Sequence, residues 1–234
     1  MARRQLTENV SWDDSYFLVA YTVDALALAV EEGDKDLAPI AKAVRPLLDR
    51  YDALDLDRRK HERAVNQSHV RVKRRDLEAD ALATEIHNTA LAEAKLDRED
   101  AVYQRLFPNV LSVVVRMALE SELTVLRSLH DAMGHSSVAK PVKALAPKLA
   151  SLIKSAEQSL ATRRKAFSDR SDLSLSIQSW RDDVNNALLG VEGELTRIAA
   201  KRRLGEEWVQ SFFPAALAAR KKRAPSEPDP APKG

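Results

Sequence analysis

The sequence predicts an all-α protein, an internally duplicated antiparallel helical bundle with long, coiled-coil-like helices. Three observations predict it. The first is a repeat. Lys42-Ala43-Val44-Arg45-Pro46 returns as Lys143-Ala144-Leu145-Ala146-Pro147, and Arg58-Arg59-Lys60 returns as Arg163-Arg164-Lys165. Gln104-Arg105-Leu106-Phe107-Pro108-Asn109-Val110-Leu111 returns as Gln210-Ser211-Phe212-Phe213-Pro214-Ala215-Ala216-Leu217. The offsets of about 101, 105 and 106 keep their order, as a duplication with small later insertions requires. The second is composition. Only six of 234 residues are glycine, aromatics are 5%, and Ala, Leu, Arg, Glu and Lys are abundant, which favours helix with an aliphatic core. The third is spacing. Leu37, Ala41, Val44, Leu48 and Tyr51 step by four and three, and so do Val138, Val142, Leu145, Leu149 and Leu152.

In chain order, Ser11 is placed to cap a first helix, with Asp13 and Asp14 at the positive end of its dipole. Gly33 ends it. The apolar run Tyr16–Val30 is too short for a membrane span and contains Asp24, so it reads as a buried helix. Asp34 or Asp36 caps the next helix, in whose first turn Pro39 is tolerated. A long helical stretch follows in each copy. In the second it is marked by Leu173, Ile177, Trp180, Val184, Ala187, Val191, Leu195 and Ile198, and in the first more weakly by Leu82, Ile86 and Ala90. The polar clusters Asn66-Gln67-Ser68 and Ser168-Asp169-Arg170-Ser171 are the expected breaks, which would make each copy a three-helix unit in a compact bundle; the alternative, without them, is an elongated antiparallel coiled coil. Phe107 and Phe213 precede prolines and mark helix ends. Asn109 starts a further helix through Val115, Leu119, Leu126, Leu129 and Met133, stopped by Gly134. The organisation is then an N-terminal segment 1–12, repeat unit 13–108, repeat unit 109–214, and a helical stub with a disordered basic, proline-rich tail 215–234. The duplication places the short helices 13–32 and 110–133 together at the centre, related by an approximate two-fold.

The chain lacks cysteine, which excludes disulfides and thiolate chemistry. Its basic N-terminus has no adjacent apolar core of a signal peptide, so a cytoplasmic protein without a membrane segment is expected. Charge is segregated. Arg58, Arg59, Lys60, Arg63, Arg71, Lys73, Arg74 and Arg75 face only Glu62 within their stretch, a local balance of +7 in a chain of +2. These eight are candidate polyanion-binding residues, able to neutralise phosphates in a salt-dependent manner. No aromatic interleaves to stack bases, and Asp55, Asp57 and Asp76 stand near enough to make the band an ordinary solvated face. The stretch from Arg163 to Arg181 is far less basic.

His61, His69, His87, His130 and His135 form no Glu-x-x-His pair or other metal-ligand spacing, so neither a metal nor a cofactor is expected. Asp24 and Glu122 lie within apolar helices, where a buried acid gains a raised pKa, although such a group more often fixes helix register. Phe107, Pro108, Phe213 and Pro214 form a repeated corner that either packs or docks a partner. The sequence has no phosphate loop, nucleophile elbow or convergent catalytic set. The functional expectation is a non-enzymatic structural or adaptor protein acting through protein-protein contacts or self-association. The alternative is nucleic-acid or other polyanion binding through band 58–75.

Overall fold

The computed structural model describes residues 6, 7 and 9–214. Among these residues every regular element is a helix. They are α1 (Trp12–Glu31), a 3-10 turn (Lys35–Leu37), α2 (Ala38–Glu93), α3 (Ala101–Leu106), α4 (Leu111–Val114), α5 (Leu119–Met133), α6 (Lys140–Lys143), α7 (Ala146–Arg202) and α8 (Glu206–Gln210). Among the described residues no helix is long and apolar enough to cross a membrane. The stub and tail predicted at 215–234 lie outside the described residues.

The chain divides into two compact units. One comprises the described residues up to Leu54 together with those from Ser176 onward. The other is Asp55–Leu175. The boundaries fall inside α2 and α7, so they cut across the repeat units read from the sequence.

In the first unit, Ser11 caps α1 as expected: its hydroxyl accepts from the Asp14 amide at 3.0 Å. The helix closes in a Schellman turn, with Gly33 N–H on Val30 O and Asp34 N–H on Ala29 O. Gly33 takes φ +108°, which explains the glycine. The Asp34 carboxylate makes no cap bond. Instead Arg202 donates to Asp34 at 2.7 Å and to Asp36 at 2.6 Å. That hydrogen bond holds the Asp34 carboxyl below its ordinary pKa. Trp12 stacks on Tyr51 at 4.3 Å, and the wholly buried Trp180 meets both while donating its indole N–H to Leu47 O at 2.9 Å. The first helix is less buried than expected. Tyr16, Phe17, Tyr21 and Asp24 are exposed, because its apolar residues exceed the width of its inward face.

In the second unit the core gathers Leu82, Ile86, Leu123, Leu126, Met133, Val142, Leu149 and Ala156, with Tyr103 and Leu106 from α3. The predicted helix 110–133 is two helices, interrupted at 115–118, and α4 starts from Val110 without a side-chain cap. α5 belongs to this unit and α1 to the other, and the core that α5 joins contains no α1 residue.

The predicted breaks do not occur. α2 runs unbroken through Asn66–Ser68 and α7 through Ser168–Ser171. The polar side chains are satisfied without disturbing the backbone. Ser68 is buried but donates to its own helix at Val65 O, 2.7 Å away. Asn66 and Gln67 are exposed, and Asp169 pairs with Lys165 one turn back at 3.1 Å. The seam of α2 continues by fours and threes through Leu54, Arg58, His61, Val65, Ser68, Val72, Arg75, Ala79, Leu82 and Ile86, all buried or half-buried.

Candidate functional site

The eight cations of the basic band do not converge on one surface. All lie on α2, and helical geometry distributes them around it. Arg58 and Arg75 are half-buried in the seam. Arg58 donates to Asp55 and Glu62, both at 2.9 Å, and the Asp55 hydrogen bond raises its pKa. Arg59 pairs with Asp55 at 2.6 Å, Lys60 with Asp57 at 3.0 Å, Arg74 with Glu78 at 3.2 Å, and Arg75 with Glu78. Five of the eight thus have a carboxylate partner within one helical turn. Asp55 and Asp57 serve as the sequence suggested. Glu62 and Glu78, rather than Asp76, are the remaining partners. Among the described residues Arg63, Arg71 and Lys73 have no such partner.

Lys73 lines a cleft of about 280 Å³ with His69, Asp76, Glu120 and Arg163. Arg63 and Arg71 instead line an open surface depression of about 600 Å³ with Arg59, Glu62 and Val70. Every residue of that depression belongs to α2, so it is a trough along one face. The face carries large apolar side chains that the charge pattern had obscured. Leu56, Val70 and Leu77 are 55, 68 and 60% exposed. With Arg63 they fall at successive steps of seven, a signal present in the sequence but out of phase with the core seam.

The Phe-Pro corners are packed. Tyr103 and Leu106 are buried, and the Tyr103 hydroxyl lies 2.7 Å from His87 Nε2. Phe107 sits edge-on to His87 at 5.1 Å. The void beside Phe107 and Pro108 measures only about 10 Å³, too small to hold a ligand. At the second corner Phe212 is buried and meets Trp208 at 5.1 Å, while Phe213 and Pro214 are half-buried.

Glu122 is fully buried, and neither carboxylate oxygen has a hydrogen-bond partner. Burial, then the charges of Asp80 and Asp76, push its pKa to about 8. Asp80 is raised as well, by burial and by Asp76. Among the described residues no group of three or more acidic or histidine side chains is arranged to hold a metal ion. His130 lies 3.6 Å from Asp131, and His135 bonds Ser137 Oγ at 2.8 Å. Comparison with protein-family models, with curated proteins and with solved structures finds no match to this chain.

Proposed function

We propose that this chain is a non-enzymatic helical protein that acts through protein-protein contacts. The observation that carries this reading is the set of large apolar side chains left exposed along both long helices. Leu56, Val70 and Leu77 stand out on α2, and Leu175 and Leu189 on α7. Apolar side chains that recur at multiples of seven along one helix keep a constant register against a partner helix.

The same reading holds that the chain arose by duplication and that its long helices pair antiparallel in coiled-coil fashion. The element order supports duplication. A short helix, a turn, a helix of 56 or 57 residues and a short helix before Phe-Pro occur twice. Both long helices end in a Schellman turn with a basic residue at positive φ, Lys95 (54°) in one and Arg203 (58°) in the other. Buried positions recur at a shift of about 104, pairing Ser15, Leu18, Val19 and Thr22 with Leu119, Glu122, Leu123 and Leu126. The copies differ at their prolines. Pro46 lies inside α2, whereas the chain pauses at 144–145, between α6 and α7, just before Pro147. The pairing direction is supported within each unit. Arg202 meets Asp36 and Trp180 meets Leu47 in one, and Lys148 meets Glu85 and Phe167 meets His69 in the other. Later residues of α2 thus pair with earlier residues of α7.

The polyanion reading retains one specific support, the three unpaired cations Arg63, Arg71 and Lys73. Fluorescence anisotropy of labelled single- and double-stranded nucleic acid separates the two readings. Contacts to three phosphates lose roughly 40-fold in affinity between about 50 and 200 mM salt. Protein-contact function predicts no such binding by the full chain. Salt-sensitive binding that disappears when Arg63, Arg71 and Lys73 are changed to Gln would contradict it.

A further inference from the structure

We infer that the outward face of α2 from Leu56 to Leu77 docks an acidic amphipathic helix of a partner protein. This deepens the protein-contact reading and rests on it. Three observations on the same face carry it. First, Leu56, Arg63, Val70 and Leu77 repeat at steps of seven, the period that lets a second helix follow the first over several turns. Each of the last three stands two residues before a buried seam residue, Val65, Val72 and Ala79. At 100° per residue that is about 200° around the helix, so the two ladders lie on opposite sides. Second, the apolar side chains are more than half exposed, and nothing among the described residues covers them. Third, the trough along this face is net positive. Arg59, Arg63 and Arg71 line it against Glu62 alone; Glu62 is already paired with Arg58, and Arg63 and Arg71 lack a carboxylate among the described residues. A net positive face favours a helix whose facing flank is acidic.

The other polyanionic surfaces fit this face less well. Nucleic acid would use the cations but leave Leu56, Val70 and Leu77 against water, and the face has no aromatic side chain on which a base could stack. A membrane surface favours a broad apolar face with aromatic anchors. Here the apolar residues stand singly, with arginines between them.

The test is an unbiased selection against the full chain. A displayed library of four-heptad peptides, about 28 residues long, keeps Leu and Ile at the seam and allows Glu, Gln or Lys at the flanking positions. The expected winners are rich in Glu. Their affinity falls at least about tenfold on Val70→Glu, and again on Arg63→Glu with Arg71→Glu. All three positions are exposed, and circular dichroism verifies that each variant keeps its helix. Leu77→Ser supplies a second apolar probe. Winners without acidic enrichment, or none at all, would overturn the inference. Winners that ignore every substitution would overturn this face as the site while leaving the protein-contact reading intact. Binding to phosphatidylserine vesicles that Val70→Glu abolishes, with no helical winner, would reassign the face to a membrane surface and remove both readings.

Discussion

Glu122 places a carboxyl group inside the core of the second unit with no hydrogen-bond partner. Its folded-state pKa, about 8, lies above the ordinary 4.5 because burial, and then Asp80 and Asp76, oppose ionisation. As the pH rises between those values, the unfolded chain gives up a proton that the folded chain keeps. The contribution is therefore fully present below the unfolded pKa and is lost as pH rises through the folded one, at up to about 1.4 kcal/mol per pH unit. The raised Asp80 acts in the same direction. Under the proposed duplication, Glu122 occupies the place of Leu18, which makes leucine the natural replacement. Glu122→Leu should flatten the decline between pH 5 and 8 and stabilise the protein by roughly 1–3 kcal/mol at pH 8. Urea unfolding at the two pH values measures both effects. An unchanged slope would mean that Glu122 ionises freely in the folded protein.

Among the elements, the ends of the two long helices invite the simplest test. Lys95 and Arg203 adopt positive φ at the position where glycine is preferred. Lys95→Gly and Arg203→Gly should each stabilise by about 0.5–1 kcal/mol, read from thermal or urea unfolding. A loss of stability in either would show that the turn is held by the side chain rather than strained by it. The same helices mark the limit of what the residues reveal. The seam from Leu37 to Tyr51 is legible because all five positions are apolar. Beyond Leu54 it passes through Arg58, His61, Ser68 and Arg75, so the four-three step continues while its hydrophobicity does not. A polar seam resembles a loop, which is why breaks were expected where none exist. The Ser11 cap, the Gly33 turn and the Phe-Pro ends were legible because each is fixed by local stereochemistry. The outward ladder was hidden by its arginines, although Leu56, Val70 and Leu77 share a strict period. The burial of Glu122, and the exposure of Asp24 in a run just as apolar, depend on tertiary packing that no local pattern encodes.

For the molecule as a whole, the contact proposed for α2 depends on that helix being continuous. Only an unbroken helix carries the seam and the outward ladder in constant register, and only then do Leu56, Arg63, Val70 and Leu77 form a face. The proposed duplication depends on it too, since two long helices of matching length anchor the correspondence. Amide hydrogen exchange of the full chain along residues 54–86 tests this directly. The amides of Asn66, Gln67 and Ser68 should exchange as slowly as those of the flanking turns around Val65 and Val72. A fast-exchanging window at 66–68 would restore the broken three-helix unit and remove the continuous face on which the proposed contact depends.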